Sequence, residues 1–148
     1  MTFQSSQRDA GTASSPIFLV QPPIRNVIAF RVVSLCVPWL IPAAPDPNPY
    51  YVVASSALAP MAANQQYVNG HLSDAIITFV NRNVVGRNHV FVDYAADWHS
   101  SHSGKHCDLS QIDFGLRYPN MAHLTTLVDW SIEIQLKYIS DKRDTFVQ

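Results

Sequence analysis

Residues 129–138, Asp-Trp-Ser-Ile-Glu-Ile-Gln-Leu-Lys-Tyr, alternate without a break. Trp130, Ile132, Ile134, Leu136 and Tyr138 share one parity, and Ser131, Glu133, Gln135 and Lys137 share the other. A period of two sends successive side chains to opposite faces of a strand. One face is then apolar and one wet, as in an antiparallel sheet covered on one side only. A slip of one residue would turn the whole apolar set outward, so the segment fixes its own register. Burial of each apolar side chain contributes roughly 1.5–3 kcal/mol. The segment is therefore expected to be a long inner strand of a two-sheet β domain.

The rest of the chain can be built around it. Residues 1–15 are rich in Ser, Thr, Gln, Gly and Ala. They carry too little apolar surface to fold alone and predict a flexible N-terminal arm that orders on a neighbour. The domain itself is expected over residues 16–140, followed by a polar tail over 141–148. Residues 16–20 predict a short first strand ended by Pro22-Pro23, neither of which can donate to a ladder. Residues 24–37 are almost wholly apolar, with only Arg31 and Ser34 interrupting beyond Ile28, and their β-branched content favours strand over buried helix. Pro38, Pro42, Pro45, Pro47 and Pro49 predict a long, stiff connection. Residues 50–53 suggest another short strand. Leu72, Ala75, Ile76, Phe79 and Val80 fall at i, i+3, i+4, i+7 and i+8, which predicts an amphipathic helix of about three turns. Asn69 or Ser73 could cap its start, and residues 81–83 suit its end.

Strand character returns over 84–94, and residues 97–108 read as a polar loop or hairpin tip. A second clean alternation follows, with Ile112, Phe114, Leu116 and Tyr118 opposed to Gln111, Asp113, Gly115 and Arg117. Pro119-Asn120 marks a turn. Many strands, one helix and no βαβ alternation predict an all-β chain, a single jelly-roll β-sandwich of about eight antiparallel strands with one short helix.

The 148 residues suffice for one domain with a real core. A net charge of −1, from 10 basic and 11 acidic residues, argues against a general binder of nucleic acid or anionic membrane. Charged residues make up 14% of the chain, below the roughly 25% of an average soluble domain. Such a surface points to protein partners covering part of it. No run reaches the ~20 apolar residues of a membrane-spanning helix, and residues 1–15 lack the basic-then-apolar order of a signal peptide. Two cysteines are too few for a disulfide scaffold, and whether Cys36 and Cys107 meet is left open. Cys36 lies in an apolar run and is expected to act as a small core residue.

His99, His102, His106 and Cys107, flanked by Asp97 and Asp108, are the residues most suggestive of chemistry. Imidazole and thiolate are good zinc ligands, but the spacing matches no standard zinc signature, and a polar surface loop without metal is expected. There is no Gly-x-Ser-x-Gly elbow and no Gly-rich phosphate loop. No catalytic, cofactor-binding or metal-binding residue is assigned, and no cofactor is expected. Trp39, Trp98, Tyr50 and Tyr51 could stack on a sugar ring, although such aromatics more often pack at interfaces.

Residues 18–27, Phe-Leu-Val-Gln-Pro-Pro-Ile-Arg-Asn-Val, lead into the apolar run 28–37 and then Pro38-Trp39. This order resembles the opening of small single-jelly-roll capsid proteins of large icosahedral DNA viruses, the lineage with double-jelly-roll major capsid proteins. Residues 67–76, Tyr-Val-Asn-Gly-His-Leu-Ser-Asp-Ala-Ile, are similar to that family's "Tyr, Gly, then helix" insertion. Residues 109–120, with Leu124 and 129–134, look like its closing strand pair. The resemblance covers residues 17–138. It departs at Leu40-Ile41-Pro42, where the family has a Tyr-Asn-Ile type of turn, and in the histidine segment, which has no counterpart.

The resemblance implies a structural, non-enzymatic role in a virion shell assembled inside the host cell. The first expectation is a penton that closes the fivefold vertices as a pentamer beside the major capsid protein and other minor capsid proteins. The alternatives are a minor capsid or cement protein of the same shell, or a receptor- or glycan-binding jelly-roll module. No direct nucleic-acid contact and no membrane span are expected.

Overall fold

The computed structural model describes residues 1–38, 50–61, 67–68, 71–72, 74–80, 88–92, 98–100, 106–118, 122 and 129–140. In chain order its strands are β1 (Thr2–Gln4), β2 (Ala10–Gly11), β3 (Pro16–Pro38), β4 (Tyr50–Ala54), β5 (Tyr67–Val68), β6 (His71–Leu72), β7 (Ala75–Val80), β8 (Asn88–Val92), β9 (His99–Ser100), β10 (Cys107–Asp113), β11 (Gly115–Arg117) and β12 (Ser131–Tyr138). The only helical turns among the described residues are 3₁₀ turns over Ser5–Gln7 and Ala59–Met61. All ladders are antiparallel. They make a large sheet, with β1, β12, β3 and β10 in that order and β2, β8 and β9 also on β3, a smaller sheet in the order β11, β4, β7, and a separate two-stranded pair of β5 and β6. Two antiparallel sheets around one apolar core are what the alternating segments require, and the chain is mainly β as expected.

The spine of the large sheet is β3 rather than β12. One edge of β3 pairs with β12 from Cys36↔Ser131 to Val27↔Tyr138. The other edge pairs in succession with β10, β9 and β8. The expectation of two strands separated by Pro22-Pro23 is corrected: the segment is one strand of 23 residues. The prolines are accommodated where the ladder with β10 jumps from Leu19↔Gln111 to Ile24↔Leu109, so no paired N–H is demanded of them. A second irregularity follows at Asn26, which has φ 56°. Asparagine tolerates this left-handed conformation. Its N–H donates to the Asp108 carboxylate at 2.9 Å instead of to the ladder.

β12 behaves largely as its alternation predicts. Trp130, Ile132 and Ile134 are buried, whereas Gln135 and Lys137 are exposed. The apolar parity fades toward the end of the strand: Leu136 is half-buried and Tyr138 is 58% exposed. The second alternation also holds, with Ile112, Phe114 and Leu116 all buried. It is not one strand, however. β10 belongs to the large sheet and β11 to the small one, and Phe114 is the corner between them. Its N–H donates to the Pro16 carbonyl at 3.0 Å, and two residues on the Leu116 N–H donates to the Ser14 carbonyl at 2.9 Å.

The expected arm over residues 1–15 is corrected as well. β1 pairs with β12, with Phe3 opposite Ile132. Phe3 is buried, its ring 5.0 Å from Phe18 and 5.4 Å from Phe114 between centroids. The Asp9 carboxylate accepts the Leu19 N–H at 2.7 Å, and the Trp130 indole N–H donates to the Ala13 carbonyl at 2.7 Å. The apolar content is low, but one deeply placed aromatic ring and a series of backbone hydrogen bonds hold the segment to the domain. The boundary at residue 16 is therefore misplaced. The polar tail over 141–148 and most of the proline-rich connection lie outside the described residues.

The expected helix is likewise a correction. Where the spacing predicts a helix the described residues form β5, β6 and β7, and no helix of seven or more residues occurs among the described residues. β5 and β6 pair with each other, with Tyr67 opposite Leu72 and Val68 opposite His71. β7 then pairs with β4 from Ala54↔Ala75 to Tyr50↔Val80. Four of its six residues, Ile76, Ile77, Thr78 and Val80, are β-branched and stiff at χ1, which suits a pleated partner better than a helix.

Candidate functional site

The histidine segment does not form a single loop. His99 lies in β9, whose backbone pairs with β3 at Phe30, and its imidazole stacks on the Phe30 ring at 4.9 Å and 18° between planes. Cys107 and Asp108 open β10. Asp108 holds the Asn26 bulge, and His106 is exposed just before the strand. Asp97 and His102 lie outside the described residues. Among the described residues no three His, Cys, Asp or Glu side chains converge as a ligand set.

The two cysteines are held apart by β3. Cys36 lies in that strand and Cys107 pairs opposite its Val27. Nine strand residues at about 3.3 Å each separate the two positions by roughly 30 Å. A disulfide requires Cα atoms within about 7 Å, so they do not meet, and both thiols are free. The most buried hydroxyls are committed to hydrogen bonds within the fold. Ser5 Oγ donates to the Asp129 carboxylate at 3.2 Å and accepts the Trp130 N–H at 2.9 Å, and Ser55 Oγ accepts the Leu58 N–H at 3.3 Å.

One cluster on the outer side of the large sheet is not explained by packing alone. Trp98 stands immediately before β9, which brings it beside β3. Arg31 of β3 is opposite Gln135 of β12, and its Nε–H donates to the Gln135 amide oxygen at 2.8 Å. Lys137 follows two residues on, on the polar parity of the strand. The Lys137 ammonium lies 4.0 Å from the Trp98 ring centroid and the Arg31 guanidinium carbon lies 4.8 Å from it. Both are within the range at which a cation is attracted by the indole quadrupole. Beside this cluster is a hollow of about 310 Å³, walled by Met1, Ile24, Trp98, Leu136 and Tyr138, with Gln135 at its polar side.

The hollow adjoins the place where β1 stops covering β12. The Met1 ammonium donates to the Ile134 carbonyl at 2.8 Å, and the Ile134 N–H donates to the Met1 carbonyl at 2.9 Å. Beyond Ile134 no described strand lies on that edge.

Of the four aromatics considered for stacking, Trp98 is placed in a polar cluster beside an open hollow. Tyr50 and Tyr51 belong to β4, and Trp39 lies outside the described residues. No local pattern in the sequence marks Arg31 and Lys137 as partners of Trp98. They are 106 positions apart, and only their shared placement on the wet side of two neighbouring strands could have joined them. No protein-family model matches this chain, and no curated protein matches it. No helix among the described residues is long and apolar enough to cross a membrane.

Proposed function

We propose that the chain is a structural protein of an icosahedral viral shell, a single jelly roll that closes the fivefold vertices as a pentamer. The observation that carries this reading is the nesting of its ladders. The first long strand, β3, pairs with the last, β12, and the next strand of the core, β4, pairs with the penultimate one, β11. A jelly roll is a long antiparallel hairpin rolled onto itself, and nested first-with-last pairing is its mark. The low charge of the chain supports extensive protein contact, and the resemblance of residues 17–138 to penton and minor capsid proteins supplies the role.

Assembly on this reading is by heterologous interfaces that close after five copies. The partners are further copies of the chain, the major capsid protein and other minor capsid proteins, and the location is the virion shell. No catalytic step, cofactor or nucleic-acid contact is part of the reading. Native mass measurement of the purified chain, followed by co-assembly with its major capsid protein, tests it. The expected result is a pentamer that occupies the vertices. A chain found in the shell only away from the vertices is a minor capsid or cement protein. A monomer excluded from shells removes the capsid reading altogether.

A further inference from the structure

We propose that the hollow beside Trp98 is a binding site for an acidic saccharide, a pyranose carrying a carboxylate or a sulfate. Nothing in a shell-building role requires such a site, and the inference stands apart from that reading.

The argument begins with charge. Arg31 and Lys137 bring two cations to one indole ring, at 4.8 and 4.0 Å from its centroid, and among the described residues neither is paired with a carboxylate. Glu133, the nearest acid along β12, is engaged with the Ser34 hydroxyl at 3.3 Å. The cluster is rich in donors. The Arg31 guanidinium uses its Nε on Gln135, and among the described residues its terminal nitrogens and the Lys137 ammonium have no hydrogen-bond acceptor. The Trp98 indole N–H has no hydrogen-bond partner among the described residues, and Gln135 retains its amide NH₂ once its oxygen has accepted from Arg31. A group of donors without an anionic acceptor is complementary to a ligand bearing a negative charge and several oxygens.

The second part of the argument is shape. Two of the donor residues, Trp98 and Gln135, line a hollow of about 310 Å³ whose remaining wall is apolar and includes Tyr138, and the two cations reach it through the Trp98 ring that they flank. Tyr138 is 58% exposed and Trp98 half-buried, so both aromatic side chains remain accessible. A pyranose has an apolar C–H face and a polar edge. Its face fits the aromatic wall, and an acidic substituent at its edge reaches Lys137 and Arg31. A neutral sugar would use the wall but leave the cations unanswered. A simple anion would do the reverse.

The test is titration of the full chain with sialyllactose, with a heparin-derived hexasaccharide and with lactose, followed by tryptophan fluorescence and by NMR. The expected result is saturable binding of at least one acidic saccharide, at least about tenfold tighter than lactose and weakened by salt. The arm that binds identifies carboxylate or sulfate as the acid. K137Q keeps a polar side chain one atom shorter and removes its charge at an exposed position; it should weaken acidic-saccharide binding about tenfold and leave the melting temperature unchanged. W98F should weaken it too, since the smaller ring has no N–H. Failure of both acidic saccharides to bind, or equal binding of lactose, overturns the proposal. Binding of the heparin fragment that is insensitive to W98F also overturns it, because that is general attraction to a polyanion.

Discussion

Trp130 and Ala13 are joined by a 2.7 Å hydrogen bond from the indole N–H to the backbone carbonyl, across 117 positions of chain. The bond fixes the start of the last strand to the N-terminal segment, and it satisfies a buried indole that would otherwise lose its hydrogen bond to water. The same segment supplies Phe3 to the aromatic group formed by Phe18, Phe114 and Trp130. Its removal should therefore be felt through the whole domain. Deletion of residues 1–15 should lower the melting temperature sharply or abolish folding. Phe3→Ala should cost about 3 kcal/mol in urea denaturation, the usual loss for a buried ring. An unchanged melting temperature in the deletion would mean that the segment is an accessory after all.

Gly11 has φ +82°, and a Cβ placed there would lie 2.1 Å from the Ser15 carbonyl oxygen. The obstacle is backbone, so the turn over residues 11–15 must open to admit even a methyl group. Gly11→Ala is expected to cost about 2 kcal/mol by thermal denaturation. Gly115→Ala is a useful contrast. Its Cβ would meet the Arg117 Nε at 3.4 Å, where a side chain can give way, and the loss should be smaller.

The Asp113 carboxylate accepts two backbone N–H groups, from Ser56 at 3.0 Å and Ala57 at 3.1 Å. It thereby ties the end of β10 to the turn after β4. Asp113→Ala should cost about 2 kcal/mol, in keeping with the loss of hydrogen bonds to a charged acceptor. Asp113→Asn keeps one acceptor oxygen and should cost less. Equal stability of all three proteins in chemical denaturation would show that the turn holds itself.

Arg117 and Asp74 form a two-point ion pair, Nη1 to Oδ1 at 2.8 Å and Nη2 to Oδ2 at 3.0 Å, with side chains 20% and 29% exposed. It connects β11 to the residue before β7, on opposite edges of the small sheet. Partial exposure limits its worth, and a double-mutant cycle should give a coupling of about 1 kcal/mol. Arg117→Lys should recover little of it, since an ammonium cannot reproduce the fork.

Cys36 and Cys107 should both react with an alkylating reagent after oxidation of the monomer, because β3 holds them far beyond disulfide range. An intact-mass shift corresponding to an internal disulfide would contradict the register of β3 with β10.

Much of the large sheet was legible in the sequence, because its partners each carry their own periodicity. Trp130, Ile132 and Ile134 could be placed inward from parity alone, as could Ile112, Phe114 and Leu116. The failures have distinct physical causes. β1 is three residues with a single buried side chain, too short to show a period; what holds it is a ladder with residues almost the full chain away. β7 satisfies a helical spacing by coincidence, and pairing with β4 decides the matter. The Pro22-Pro23 pair reads as an end because local sequence does not reveal that the partner strand steps past it. The Trp98 cluster was half legible: an indole in a polar stretch stands out in the sequence, but its cations come from two strands whose pairing no local pattern announces.

The dependence of the large sheet on β3 also bears on synthesis. β3 is complete once residue 38 has been made, yet its principal partner β12 begins at residue 131. Throughout the interval a 23-residue segment, mostly apolar from residue 27 to 37, has a free edge. β1 cannot cover it, since β1 pairs with β12 and not with β3. Such an edge can recruit the equivalent strand of another nascent chain. Yield of soluble protein should therefore depend on how quickly the last residues follow, and slower translation or a chaperone that masks extended apolar segments should act on that window more than on the finished fold.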